Sequence, residues 1–239
     1  MIAVMARSVA RSRFNPSGGR SSADQPRRRL LGLLAALIGG ATTAGRHRPA
    51  LANPGPRKLL VLGDSLSAEY GLSRGSGWVA LLSKRLAEKR LPYEVVNASI
   101  SGETTAGGQT RLAQLLERHQ PAVVVIELGG NDALRGLALA STEDNLRAMV
   151  KASKKAGAQP LLLGMMMPPN YGRAYSEQFA STYKRVSEAE KVALVPFFLA
   201  GIGDRIELFQ ADRIHPTEQA QPLMLDNVWP ALARLLGTK

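Results

Sequence analysis

The stretch that most constrains the fold is the apolar run at residues 122–128, in which four consecutive positions carry β-branched side chains. A run of this kind is typical of a strand that is buried on both faces in the middle of a parallel sheet. Parallel neighbours need a long connection, usually a helix, and the chain alternates strand-like runs with segments of helical periodicity. The five predicted strands cover residues 59–62, 93–97, 122–128, 160–165 and 192–198.

This alternation predicts the α/β class, with a doubly wound, flavodoxin-like three-layer sandwich around a mainly parallel five-stranded sheet. The predicted helices are marked by apolar residues spaced three and four apart. These residues lie within 78–86, 112–119, 146–150, 175–186 and 225–236. In folds of this type, ligands bind beyond the carboxyl ends of the strands. We therefore expect the functional residues in the loops that follow the strands.

The chain divides by charge into residues 1–52 and residues 53–239. The first part holds nine of the 31 Lys and Arg residues and one of the 19 acids. The second part therefore has 22 basic and 18 acidic residues, and it carries only +4 of the total net charge of +12. Such a modest charge argues against a nucleic-acid partner. We expect residues 53–239 to form one domain, and we expect it to be a monomer.

Residues 1–52 have the features of an export signal. Arg27-Arg28-Arg29 precedes the apolar run Leu30 to Ile38, and Ala50-Leu51-Ala52 matches a signal-peptidase site. The apolar run is short for a membrane span, so we expect no stable span in the mature form, with an uncleaved anchor as the alternative. Export would follow the general secretory route or, because of Arg27-Arg28, the twin-arginine route. The chain has no cysteine, so we expect a disulfide-free bacterial protein that is periplasmic or secreted.

The first predicted strand stops on Gly63-Asp64-Ser65, which would deliver a serine to the edge of the sheet. Ser65 is therefore the candidate nucleophile, although all three residues also favour a simple turn. A serine hydroxyl needs a base, an acid that orients the base, and donors for the oxyanion. Asn131 follows the central strand and presents an amide donor at the same edge. The alternative for Asn131 is a turn that caps the next segment.

His215 is the candidate base, and Asp212 is its partner. The two residues are three positions apart in a predicted tight turn, so their side chains can meet. The carboxylate of Asp212 can then bind one ring nitrogen of His215. Of the other two histidines, His47 lies before the predicted cleavage site and His119 lies in the last turn of a predicted helix. Ser73 stands in a Gly-x-Ser-x-Gly pattern, but that motif needs a strand directly before it. We therefore assign Ser73 to a loop.

These residues resemble the GDSL or SGNH hydrolases, whose four blocks occur here in order at successive predicted strand ends. The blocks are Gly63-Asp64-Ser65-Leu66, Gly102, Gly129-x-Asn131-Asp132 and Asp212-x-x-His215. Longer stretches, such as 97–105, 168–172 and 224–230, are similar to the branch of periplasmic arylesterases and multifunctional thioesterase/lysophospholipases. The resemblance covers residues 57–239. It implies Ser65 as nucleophile, His215 as base, Asp212 as orienting acid, and an oxyanion hole from Ser65, Gly102 and Asn131.

The resemblance implies hydrolysis of carboxylic esters through an acyl-enzyme, with acyl-thioesters and lysophospholipids as further substrates. A carbohydrate acetyl-esterase on the same core and a catalytically silent lipid-binding protein are the alternatives. Apolar residues at predicted strand ends favour an acyl chain over a sugar. The candidate substrate-binding residues are Leu134, Met166, Met167 and Pro169. We expect no cofactor and no metal site, because residues 53–239 contain two histidines and no cysteine.

Overall fold

The structure is a computed structural model, and it describes residues 55–238. The predicted export signal and the predicted domain boundary at residues 52 and 53 lie outside the described residues. Within residues 55–238, no helix is long and apolar enough to cross a membrane.

The described residues form one parallel sheet of five strands, in the order β2-β1-β3-β4-β5. The strands are β1 (Arg57–Gly63), β2 (Tyr93–Asn97), β3 (Val123–Glu127), β4 (Gln159–Leu163) and β5 (Ala193–Val195). This is the order of a flavodoxin-like doubly wound sheet, which reverses its winding direction between β1 and β3. The predicted fold class is therefore confirmed.

Six α-helices connect and follow the strands within the described range. They are α1 (Trp78–Glu88), α2 (Thr105–His119), α3 (Gly130–Leu134), α4 (Leu139–Lys155), α5 (Arg173–Glu190) and α6 (Gln221–Leu236). The amphipathic spacing in the sequence predicted five of them. The short helix α3 was not predicted, because five residues are too few to show helical periodicity.

Apolar side chains pack on both faces of the sheet, because successive residues of a strand point to opposite sides. On β3, Val123 and Val125 belong to the core that packs against α1 and α6. Val124 and Ile126 belong to the core that packs against α2, α4 and α5. The strand is buried along its whole length, as a central parallel strand must be, and the molecule has three layers.

Two predicted strands run two or three residues beyond the observed strand ends. The strand predicted at 160–165 ends at Leu163 and the one predicted at 192–198 ends at Val195. Pro196 has no N–H group to continue the ladder. The chain instead turns at this point, where the Gly164 N–H donates to the Val195 carbonyl at 2.8 Å and the Phe198 N–H donates to the Gly164 carbonyl at 2.8 Å.

Candidate active site

The loop that follows β1 presents Ser65 at the carboxyl edge of the sheet, beside the point where the winding direction reverses. Asp64 shapes the start of this loop, because its backbone carbonyl accepts the N–H groups of Ser67 at 3.2 Å and Ala68 at 3.0 Å. Its side-chain Oδ1 accepts the Leu66 N–H at 3.0 Å. Ser65 is half-buried. The Gly63-Asp64-Ser65 turn is therefore also the local structure that places Ser65 at the edge of the sheet.

His215 stands between Ser65 and Asp212. The distance from His215 Nε2 to Ser65 Oγ is 2.9 Å, and the distance from His215 Nδ1 to Asp212 Oδ2 is 2.6 Å. An ionised carboxylate only accepts hydrogen bonds, so Nδ1 carries the proton and Nε2 is left to accept the Ser65 hydroxyl proton. The structure therefore joins the predicted pair Asp212 and His215 to the separately predicted Ser65 in one hydrogen-bonded row.

Asp212 is held in its ionised form by its own turn. Partial burial would raise the pKa of this carboxyl, but hydrogen bonds from the His215 backbone, the His215 ring and the Ile214 backbone outweigh that effect and lower the pKa to about 2. The two backbone N–H groups donate to Oδ1 at 3.0 and 2.9 Å. The carboxylate is therefore charged at neutral pH.

Tyr70 is a site residue that sequence reasoning missed. Its ring lies 4.3 Å from the His215 ring, centroid to centroid. Gln210 joins the two loops, because its Nε2 donates to the Tyr70 carbonyl at 2.9 Å and its backbone N–H donates to the His215 carbonyl at 2.8 Å. No local pattern marks Tyr70, because the contact links residues that are far apart in sequence. Tyr70 covers one face of the imidazole.

The other predicted site residues, Gly102 and Asn131, follow β2 and β3. Gly102 has a positive φ of 78°, which glycine adopts without strain, and its carbonyl accepts Arg135 Nη2 at 2.8 Å. Asn131 lies on α3, and its Nδ2 donates to Asp64 Oδ2 at 2.9 Å. The loops after β1, β2 and β3 thus bring Ser65, Gly102 and Asn131 to the same edge of the sheet.

Gly129 and Gly130 follow β3, and the side chain of Tyr183 comes close to Gly129. A Cβ on Gly129 would lie 2.4 Å from the Tyr183 hydroxyl oxygen, and that hydroxyl donates to the Leu128 carbonyl at 2.9 Å. The backbone at Gly129 has φ 118°, a conformation that favours glycine. Gly129 therefore lets α5 anchor the strand end from which α3 and Asn131 begin.

A cavity of about 660 Å³ opens beside this edge, within the size range of small-molecule sites. Three of the candidate substrate-binding residues, Leu134, Met166 and Met167, line it, and Met165 and Phe209 line it too. Pro168 also lines the cavity, and Pro169 begins a 3₁₀ turn, Pro169–Tyr171. Arg213 and Asp204 bring charge to a lining that is otherwise mostly apolar.

Two residues considered in the sequence lie away from this arrangement. Ser73 is exposed in the loop before α1, where its backbone N–H donates to Glu218 Oε1 at 2.8 Å. It has no hydrogen bond to a histidine in the described part of the chain. His119 ends α2. Both placements agree with the predictions.

Comparisons with known proteins agree with this geometry. Residues 61–222 match the model of the GDSL-like Lipase/Acylhydrolase family. Esterase TesA of Pseudomonas aeruginosa is 56% identical over 178 residues, which cover 74% of this chain and 89% of the relative. Thioesterase 1/protease 1/lysophospholipase L1 of Escherichia coli K12 is 45% identical over 168 residues, which cover 70% of this chain and 79% of the relative.

A solved structure is similar in fold as well as in sequence. It is the psychrotrophic esterase EstA from Pseudoalteromonas sp., inhibited by monoethylphosphonate. The TM-score is 0.72 at 41% identity, and the match covers 76% of this chain and all of the other. The chain therefore belongs to the GDSL-like lipase/acylhydrolase family and is an ester-hydrolysing serine hydrolase.

Proposed function

We propose that this hydrolase cleaves acyl esters in two steps, with Ser65 as the nucleophile, His215 as the general base and acid, and Asp212 as the residue that orients the imidazole. The observation that carries the proposal is the continuous row from Ser65 Oγ through His215 Nε2 and Nδ1 to Asp212 Oδ2, with distances of 2.9 and 2.6 Å. Both distances are within the reach that proton transfer requires.

In the first step, Ser65 Oγ forms a bond to the carbonyl carbon of the ester while its proton passes to His215 Nε2. The tetrahedral intermediate then collapses, the bond to the leaving oxygen or sulfur breaks, and His215 returns the proton to the leaving group. The acyl group remains on Ser65. The ionised Asp212 stabilises the imidazolium that exists between the two proton transfers.

In the second step, water replaces the leaving group. His215 takes a proton from the water, whose oxygen attacks the acyl carbon, and the carboxylic acid leaves as Ser65 recovers its proton. The balance of the reaction is one ester and one water converted to one acid and one alcohol, with a thiol in place of the alcohol for a thioester.

We propose that each of the two steps passes through a negatively charged tetrahedral intermediate. The backbone N–H groups of Ser65 and Gly102 and the side-chain amide of Asn131 stabilise this charge. Neither backbone N–H has a backbone acceptor among residues 55–238. Both donors are therefore available without the breaking of a backbone hydrogen bond. Because the three donors come from three different loops, the sheet itself sets their spacing.

The proposed substrates are esters with an apolar acyl chain, and they include acyl-thioesters and lysophospholipids. The mostly apolar cavity supports an acyl chain over a sugar. A second observation points the same way, since eight of the nine exposed large apolar side chains in the described range lie on the five connections that leave the carboxyl ends of the strands. They are Tyr70, Ile100, Leu134, Leu137, Met166, Tyr171, Ile206 and Ile214.

Two serine variants test the proposed nucleophile. Ser65→Ala is expected to lower kcat for a p-nitrophenyl ester by on the order of 10⁶-fold, because the chemical step loses its attacking group. Ser73→Ala is the matched control and should stay near wild type. Labelling by a fluorophosphonate, followed by peptide mapping, should place the adduct on Ser65 and leave Ser73 unlabelled.

Loss of activity in Ser73→Ala with activity retained in Ser65→Ala would overturn the assignment of the nucleophile. An unlabelled and inactive wild type would instead favour the catalytically silent lipid-binding alternative. A preference for acetylated sugars over every acyl ester longer than acetyl would favour the carbohydrate acetyl-esterase.

We also propose that residues 1–52 direct export and that residues 53–239 are the mature hydrolase domain. The support is the sequence alone: Arg27-Arg28-Arg29, the apolar run Leu30 to Ile38, and the small residues at Ala50 and Ala52. N-terminal sequencing of the protein recovered from the periplasm or medium checks the proposal, and it should begin close to residue 53.

A further inference from the structure

Two buried acids lie directly behind the nucleophile, and the proposed mechanism does not use either of them. Asp64 precedes Ser65 and is 3% exposed, and Glu127 ends β3 and is 1% exposed. Glu127 pairs in register with Gly63 across the β1–β3 ladder. A Cβ on Gly63 would lie 2.7 Å from Glu127 Oε2, so the glycine of the motif leaves room for this carboxyl group.

The two carboxyl groups share one hydrogen-bond network. Glu127 Oε2 accepts the Ser67 hydroxyl at 2.8 Å and the Asp64 backbone N–H at 3.2 Å. Trp78 Nε1 in turn donates to Ser67 Oγ at 3.1 Å. The bond from the Asp64 N–H places the two buried acids side by side, and two adjacent buried carboxyl groups without a cation retain a proton because both cannot ionise.

The surroundings decide which acid keeps the proton. Burial raises the pKa of Asp64 to about 6, against hydrogen bonds from the Leu66 N–H and the Asn131 amide that favour its ionised form. Burial and the adjacent Asp64 charge raise the pKa of Glu127 well above its usual value. Neither acid forms an ion pair with Lys or Arg in the described residues. Asp64 accepts a hydrogen bond on each of its two oxygens, whereas both donors to Glu127 meet Oε2. Glu127 is therefore the partner that can keep the proton, on Oε1, and donate it.

We propose that Glu127 is a positioning residue: it stays protonated, donates to Asp64, and so keeps Asp64 as the acceptor that orients the Asn131 amide. The inference rests on the proposed function, in which Asn131 stabilises the oxyanion. The two hydrogens of an amide NH₂ group lie in one plane at a fixed angle. When Asp64 Oδ2 holds one of them at an N–O distance of 2.9 Å, the direction of the other is set before the substrate arrives.

Glu127→Gln and Glu127→Met separate this role from a merely structural one. The glutamine amide can donate to Asp64 while its carbonyl oxygen accepts Ser67, so kcat should stay within about threefold of wild type. Methionine has a similar size and no donor. Glu127→Met should lower kcat about 10–100-fold with KM within about twofold, because a misdirected oxyanion donor costs less than the 10²–10³-fold of a lost one.

A double-mutant cycle with Asn131→Ala shows whether the effect passes through Asn131. Alone, Asn131→Ala should lower kcat by about 10²–10³-fold. In that background, Glu127→Met should cost no more than about threefold, because there is no amide left to orient. Thermal melting of each variant shows that it is folded under the assay conditions.

Each outcome decides between named possibilities. If Glu127→Gln loses as much kcat as Glu127→Met, an ionised Glu127 is required and the inference is overturned. The inference also fails if Glu127→Met keeps wild-type kcat or if its effect is additive with Asn131→Ala. If Glu127→Met does not fold, the glutamine variant alone carries the test. If Asn131→Ala leaves kcat unchanged, the proposed oxyanion role fails whatever the Glu127 variants do.

Discussion

At the scale of the residue, the buried Glu127 behaves differently from an acid in water because its surroundings penalise its charged form. It lies under the nucleophile loop beside Asp64, and the Tyr183 hydroxyl, whose own pKa is raised by burial, donates to the Leu128 carbonyl just after the same strand end. Acid pairs of this kind share protons when no cation neutralises them. The protonation of Glu127 should therefore also be visible in the stability of the protein.

We predict that Glu127→Gln becomes more stable relative to wild type as the pH rises from 5 to 8. The usual pKa of this group is 4.5, and in the folded protein it is well above that value. Between the two values the folded wild type keeps a proton that the unfolded chain has released, so its free energy of unfolding falls as the pH rises. The glutamine side chain does not titrate in this pH range, so Glu127→Gln lacks this pH dependence. The difference should grow by at most about 1.4 kcal/mol per pH unit.

Urea unfolding at pH 5, 6, 7 and 8 measures this difference. Glu117→Gln is the matched control, because Glu117 is exposed on α2, and its stability should run parallel to wild type. Parallel curves for Glu127→Gln and wild type would mean that Glu127 is not held protonated in the folded protein.

At the scale of the element, one buried acid joins three helices next to the site. Asp132 on α3 is 2% exposed, and its carboxylate accepts the Thr105 hydroxyl at 2.5 Å and the Thr105 N–H at 2.9 Å at the start of α2. From α4, the Asn145 amide donates to the Thr105 hydroxyl at 3.0 Å. Because Gly102 comes just before α2 and Asn131 just before Asp132, these bonds hold the two loops of the proposed oxyanion hole together.

We predict that Asp132→Ala lowers the free energy of unfolding by about 2–3 kcal/mol, because the Thr105 N–H and hydroxyl are left buried without their acceptor. The matched control is Asp144→Ala, since Asp144 is an exposed acid on α4 whose one ion pair within residues 55–238 is with Arg147 at 3.2 Å. It should change stability by no more than about 0.5 kcal/mol. Chemical denaturation measures both, and equal effects of the two variants would contradict the structural role of Asp132.

At the scale of the whole molecule, the parallel sheet collects the loops that carry chemistry and apolar surface at one edge. Ser65 and Asn131 follow the two strands between which the winding direction reverses, the place where doubly wound folds bind ligands. The cavity of about 660 Å³ lies beside that place, and its lining includes segments that follow β3, β4 and β5. The proposed function thus assigns the acyl chain and the reacting carbonyl to different loops of one edge.

We predict that kcat/KM rises from acetyl to medium-chain p-nitrophenyl esters and then levels. Each buried methylene contributes about 0.8 kcal/mol, so the gain approaches fourfold per carbon until the cavity is full. Met167 lines the cavity and is 8% exposed, and methionine repacks readily. Met167→Ala should therefore move the optimum by one or two carbons at unchanged rates of acetyl ester hydrolysis.

Initial rates over a graded ester series measure the chain-length profile for both proteins. Leu223→Ala is the control, because Leu223 is an exposed apolar residue on α6 and does not line the cavity. A flat profile, or a sharp preference for acetyl, would remove the acyl chain from this cavity.

Much of this protein follows from its sequence, because the patterns involved are local. Apolar residues recur with a different period in strands and in helices, so the sequence showed the alternation of strands and helices and hence the α/β class. The structure confirms both. Ser65 stands at the end of a strand, and Asp212 and His215 are three positions apart, so neighbours in the chain sufficed to select them. Their catalytic roles stay predictions, which the Ser65 and Ser73 variants test.

Only the tertiary structure decided which distant groups meet. Glu127 lies 63 positions from Asp64, Asp132 lies 27 from Thr105, and the ring of Tyr70 reaches His215 from another loop. The sequence shows a carboxylic acid at positions 64, 127 and 132, but whether each is charged depends on burial and on the donors around it. Those surroundings exist only once the strands have paired, and so the state of the acids behind the nucleophile is a property of the folded molecule.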